Sequence, residues 1–122
     1  MTDLPIAKEP FYSTTRRAGD TLYLSGFGPV DPGMNVVGRD ITEQTRYTMQ
    51  LMVQAMNKEG ATTADLVRVN VFLLDMADRD GFNRAYMEFF DGPPMPTRRL
   101  IGAGDLFKGI LVEIDGIAWL GD

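Results

Sequence analysis

The 122-residue sequence contains no cysteine and no histidine. The first absence excludes a disulfide framework, a thiol nucleophile and a cysteine-based metal centre, and the second removes the commonest general base and metal ligand at neutral pH. Positive charge is also scarce: 12 Lys and Arg stand against 17 Asp and Glu, a formal net charge of −5. That balance disfavours a sequence-independent grip on phosphate backbones, so no nucleic-acid partner is expected. No apolar run approaches the ~18 residues of a membrane span. Met1-Thr2-Asp3-Leu4-Pro5 lacks the basic and apolar regions of a leader, which makes the cytoplasm the expected address, with no membrane partner. Any chemistry falls to arginines, carboxylates, hydroxyls, backbone groups and water.

What is present suits one domain over 1–122. At 44% hydrophobic the chain is long enough for a core, yet small enough for association to aid its stability. Ser13 to Arg17 and Thr21 to Ser25 flank Ala18-Gly19-Asp20, where glycine supplies the positive φ of a hairpin turn. After a Gly- and Pro-punctuated stretch, Asp40 or Thr42 can cap a helix running to about Lys58, with Gly60 past its end. Ile41, Met49, Met52, Val53 and Met56 recur at helical spacing and mark its core face. The period then switches: Val67, Val69, Val71 and Leu73 alternate with Arg68, Asn70 and Phe72, as in a strand with one buried face. A second helix is expected from about Arg79 to Phe90 with Asp78 as cap, stopped by Gly92 and prolines 93, 94 and 96. Strands at about Thr97 to Ile101 and Ile110 to Trp119 close the chain. The order β-β-α-β-α-β-β predicts an α+β layer with both helices on one face of an antiparallel or mixed sheet.

The closing strands hold the chemistry. Pro96-Thr97-Arg98-Arg99-Leu100 offers a guanidinium, a planar fork that matches a carboxylate bidentately. Val112-Glu113-Ile114-Asp115 offers a carboxylate able to orient a water or exchange a proton. Strand alternation puts Arg98 and Leu100 on one face and Arg99 on the other; Glu113, Asp115 and Ile117 lie together. Taken alone, such a pair more often forms a solvated salt bridge.

An ordered set of segments resembles one family along nearly the whole chain. The segments are Pro10-Phe11-Tyr12-Ser13, Ala18 through Gly26, Gly28-Pro29-Val30-Asp31-Pro32, Gln44 opening a helix and Gly60 closing it, Val69 through Met76, Phe82 through Phe90, and the Arg98 and Glu113 strands. The family is the Rid/YjgF group of reactive intermediate deaminases, which hydrolyse enamines and imines of amino acids. The resemblance implies a chorismate-mutase-like fold and a barrel-like homotrimer with a cavity at each subunit boundary. It implies that Arg98 binds the substrate carboxylate, that Glu113 positions water, and that the Leu100 carbonyl orients the nitrogen, with Tyr12, Ser25, Gly26, Phe27 and Asn83 lining the pocket. Arg98 and Glu113 are expected from one subunit, with Tyr12 or Asn83 from the next. No cofactor or metal is required.

Three departures bear on specificity: Phe27 replaces a frequent glutamine, Leu51 a frequent asparagine, and Leu100 the cysteine of the best-known subgroup. Each is larger and more apolar, which implies a drier cavity. The expected reaction is hydrolysis of a 2-imino acid, arriving as its enamine, to a 2-oxo acid and ammonia. The alternatives are a non-catalytic trimer that senses small acids, a deaminase of a larger aminomuconate-like enamine, and the ribonuclease role attached to some relatives by name. The acidic balance and the missing histidine weigh against the last.

Overall fold

The computed structural model of the chain describes residues 3–6 and 10–122; Met1 and Thr2 of the opening segment lie outside them. Strands β1 (Thr15–Ala18) and β2 (Thr21–Phe27) form the expected hairpin, with Gly19 at φ +59° in its turn. Helix α1 (Ile41–Lys58) starts where the Asp40 carboxylate accepts the Glu43 amide at 2.9 Å, and Gly60 leaves it at φ +81°. The chain continues through β3 (Leu66–Leu73), α2 (Arg79–Met87), β4 (Thr97–Gly102) and β5 (Val112–Trp119). This is the predicted element order. The sheet order is β1-β2-β5-β3-β4, antiparallel except for β3–β4, which are parallel because α2 carries the chain back between them.

Both helices pack on one face of the sheet, and side-chain alternation decides what they cover. Leu22 and Leu24 of β2, Val69, Val71 and Leu73 of β3, and Val112, Ile114 and Ala118 of β5 are buried with Met49, Met52 and Met56 of α1 and Phe82 of α2. Gly116 belongs to this face because a β-carbon there would stand 2.8 Å from Met52 Cε. The opposite face carries Tyr23, Asp115, Ile117 and Trp119 and is left uncovered by the chain's own elements; Tyr23 and Trp119 are nearly half exposed.

Three sequence expectations give way to local geometry. Alternation places Val67 on the buried face, but an irregularity between Leu66 and Arg68 turns Leu66 inward and leaves Val67 exposed. Asp78 makes no side-chain cap; Asp75 caps instead, accepting the Ala77 amide at 2.9 Å ahead of a short 3₁₀ turn that leads into α2. The helix ends at Met87, and Phe89 and Phe90 reach the core from the turn beyond it.

Gln44, in the first turn of α1, ties the layers to the loops at one end of the sheet. Its Oε1 accepts the Leu111 amide at 2.8 Å, and its Nε2 donates to the Gly38 carbonyl at 3.2 Å. Both bonds are shielded, with Gln44 buried. Gln44→Leu keeps the volume but strands two backbone groups, so a loss of about 2–6 kcal/mol in unfolding free energy is expected by urea denaturation, each unpaired group costing about 1–3 kcal/mol.

Candidate active site

The cavity sits where β2 and β5 part. Between Leu24 and Phe27 β2 takes three residue steps while β5 takes two, from Gly116 to Ile114, so Ser25 and Gly26 occupy a β-bulge. Bulges re-aim side chains, and this one is fixed from β1's side: Ser25 receives the chain at Thr14, its amide donating to the Thr14 carbonyl at 3.0 Å while its hydroxyl donates to the Ser13 carbonyl. The resulting cavity of about 310 Å³ is lined by Tyr12, Ser25, Gly26, Phe27 and Glu113, all predicted from sequence. Leu51, flagged only as a departure, also lines it.

Glu113 is half-buried on the uncovered face, and its carboxylate lies against the Gly26 backbone. A β-carbon at position 26 would stand 3.0 Å from Glu113 Oε2, so only glycine leaves the carboxylate in place. Burial raises the Glu113 pKa above the usual carboxylate range, and the negative charge of Asp115, two residues along the same face, adds to the rise. Asp115 is itself held by Asn70 Nδ2 at 2.7 Å, and Asn70 Oδ1 accepts Arg68 Nε at 3.3 Å. A carboxyl of raised proton affinity beside an apolar wall is suited to taking a proton from water and giving it back.

Arg98 lies elsewhere. It pairs in register with buried Val69, on the helix-covered face, and its guanidinium stacks 5.1 Å from the Tyr86 ring centre and 5.7 Å from that of Phe82. Glu113 pairs with Phe72, whose neighbour Val71 points to the helices, so Glu113 projects from the opposite face. Arg98 and Glu113 of one chain therefore do not meet, contrary to the expected grouping from one subunit. Asn83 falls beside Arg98's stacking partners on α2, with its Oδ1 buried and unpartnered, as is the Tyr86 hydroxyl. Burial pushes the Tyr86 phenol up to about 12, with the Arg98 charge opposing the rise. No carboxylate among the described residues forms an ion pair with Arg98. Arg99, exposed, points to the uncovered face in register with Asn70.

Leu100 joins the Arg98 group through its backbone. The Ala103 amide donates to the Leu73 carbonyl at 2.8 Å, and in a parallel ladder alternate residues of an edge strand turn toward their partner. Ile101 and Ala103 thus bond inward, while the Leu100 carbonyl faces the free edge of β4. The chain carries two half-sites: a guanidinium, an amide and a free carbonyl at the β4 edge, and a carboxylate in a cavity at the β2 bulge.

The pattern of the family described as endoribonuclease L-PSP matches residues 2–120. The chain belongs to this family, the Rid/YjgF group. A protein from Dermatophagoides farinae named 2-iminobutanoate/2-iminopropanoate deaminase is 36% identical over 123 residues, spanning 93% of this chain and 90% of its own. The crystal structure of RidA from an Antarctic Psychrobacter superposes with a TM-score of 0.87 at 28% identity, covering 98% of this chain and 96% of that one. E. coli TdcF, solved with bound serine, gives a TM-score of 0.84 at 28% identity over 95% and 92% of the two chains. The Rid fold accounts for the two helices on a five-stranded mixed sheet. No helix among the described residues is long and apolar enough to cross a membrane, and none of their carboxylates cluster in a group able to hold a metal ion.

Besides Ile6, Thr14 and Gly28, sequence reasoning missed Val30, Met34, Phe107 and Ile110, which close the cavity from two loops. Those loops meet where Lys108 Nζ donates to the Met34 carbonyl at 2.7 Å, a contact across 74 positions that no local pattern announces.

The raised Glu113 pKa has a consequence for stability. A carboxyl more basic in the folded chain than in the unfolded one favours folding while protonated, and that advantage is lost as pH rises through the folded pKa. Glu113→Gln is expected to have a higher melting temperature than the parent at pH 7, the difference vanishing below about pH 4, where both side chains are neutral. Differential scanning calorimetry across that range checks the sign.

Proposed function

We propose that this Rid protein hydrolyses a 2-imino acid, delivered as its enamine, to a 2-oxo acid and ammonia. The observation that carries the reading is the Glu113 carboxyl, raised in proton affinity and pressed against the Gly26 backbone in a cavity of substrate size. Support comes from a relative named for imine deamination and from another that holds an amino acid. The partition of the half-sites supports a closed trimer in which the β4 edge of one copy meets the bulge cavity of the next. Arg98 of one copy then binds the substrate carboxylate while Glu113 of its neighbour holds the water.

The chemistry follows from the groups. Water attacks the electrophilic imine carbon while one of its protons passes by way of Glu113 to the nitrogen, giving a carbinolamine; the proton of the new hydroxyl then follows to the nitrogen as the C–N bond breaks, and ammonia leaves a carbonyl behind. The Leu100 carbonyl accepts a hydrogen bond from the nitrogen and orients it. Positioning is the main task, worth up to ~7–11 kcal/mol in well-oriented systems. No nucleic-acid partner takes part in this reading, on the acidic charge balance.

Arg98→Ala is expected to lower kcat/KM by at least ~30-fold, because truncating one partner of a buried charge pair costs about 2–5 kcal/mol. Arg98→Lys should also be impaired, since an ammonium cannot supply the fork, and Arg99→Ala should keep most activity. Mixing and refolding inactive Arg98→Ala chains with inactive Glu113→Gln chains decides the architecture. A site shared between copies restores about a quarter of the sites in a random equal mixture, whereas a site within one chain restores none. Saturable binding of 2-oxo acids without imine turnover would overturn the deaminase reading in favour of a small-acid sensor.

A further inference from the structure

We propose that Gln54 is a positioning residue for Glu113: it clamps the segment Leu4-Pro5-Ile6 so that Ile6 walls the cavity against bulk water, and the catalytic part of this claim rests on the deaminase reading. The clamp is one side chain on one backbone residue. Gln54 stands in the second half of α1, only 7% exposed, where its Oε1 accepts the Leu4 amide at 2.7 Å and its Nε2 donates to the Leu4 carbonyl at 2.8 Å. Turning the side-chain amide over would set N–H against N–H and carbonyl against carbonyl, so the pairing admits one orientation. No ladder holds the segment. Residues 3–6 belong to no helix or strand, and Pro5 has no amide to lend to one. Docking is nonetheless specific, because Asp3 and Pro5 are exposed while Leu4 and Ile6 pack against the core.

Ile6 is what this clamp delivers to the site. It lines the Glu113 cavity and also a second hollow of about 310 Å³ bounded by Thr15, Ala55, Lys58 and Glu59, with Thr14 common to both. Ile6 is thus a partition. Withdrawing it joins the two spaces and admits water from the exposed end of α1, where Lys58 and Glu59 stand. Glu113 responds to that water because burial is the larger cause of its raised proton affinity, and the Asp115 charge the smaller. The other ionisable groups stay where they are. Among the described residues these are Tyr12 in the lining, Arg16, Tyr23, Arg68 and Arg99 on the same sheet face, and Lys108, whose ammonium is committed to the Met34 carbonyl. The segment's own charge, Asp3, is exposed, so undocking changes the solvent around Glu113 and leaves the fixed charges in place.

The test uses the intact protein. Gln54→Leu keeps the volume and removes both bonds, and Ile6→Ala removes the wall while leaving the clamp, so each wets the cavity by a separate route. Carbon-13 NMR of the side-chain carboxyls, with Glu113→Gln assigning the signal, should show the Glu113 titration midpoint fall by at least ~0.5 unit in both variants, a fraction of the roughly 3–5 units that full burial imposes. The acid limb of kcat/KM, for an imine generated in place by an amino-acid oxidase, should move down with it, because that limb reports the free enzyme's base. A residue serving stability alone would leave both midpoints unmoved. Hydrogen exchange of the Leu4 amide reads the clamp itself: protected in the parent and in Ile6→Ala, and free in Gln54→Leu. An unprotected Leu4 amide in the parent, or protection lost in Gln54→Leu with the Glu113 midpoint unchanged, overturns the inference. Should Gln54→Leu fail to fold, an unmoved midpoint in Ile6→Ala overturns it alone. If no imine is turned over at any pH while the Glu113 midpoint still falls in both variants, the deaminase reading fails and the hold of the clamp on Glu113 stands.

Discussion

A strand offers a side chain two directions only, and that parity governs this molecule. On β5, Val112, Ile114 and Ala118 must point to the helices to complete the core, which commits Glu113 and Asp115 to the other face. On β4 the same rule commits Arg98 and Leu100 to the helix side, because their partners Val69 and Val71 are fully buried. Core packing therefore determines where each charged group emerges. A guanidinium and a carboxylate that look adjacent in a list of motifs become the two ends of different half-sites.

Escaping parity takes a bulge. The extra residue at Ser25-Gly26 lets β2 change direction, bringing backbone rather than side chain against Glu113 while Phe27 still turns inward to pair with Ile114. The carboxylate is desolvated by that approach and by the apolar loops around it, at a cost that appears as its raised proton affinity. Arg98 has the opposite environment: aromatic faces accept its charge without neutralising it, and no carboxylate among the described residues pairs with it.

Most of the architecture was legible because it rests on local rules. Asp40, Gly60 and Gly19 sit where capping and turn chemistry require them, and the methionines of α1 face the core as their spacing indicates. The residues of the two half-sites were legible as types and positions, but their grouping was not. Alternation tells which residues of one strand share a face; relating faces on two strands needs the register through β3, and sequence does not state it. Val67 failed for a related reason, since a one-residue irregularity reverses parity without altering the apolar pattern. Val30 and Met34 come from irregular segments with no period to read, and Ile110, expected to open the last strand, lies ahead of β5 in coil.

The paired hydrogen bonds of Gln44 set how this cavity can breathe. One anchors the chain just after Ile110 and the other anchors Gly38, so both loop systems around the cavity are moored to the buried first turn of α1. The exposed Lys108–Met34 contact, by contrast, can break with no loss of core. Motion at the lip is thereby separated from motion at the base: the rim fluctuates on the timescale of a surface loop, while the ground beneath it opens only with the most protected unit of the fold.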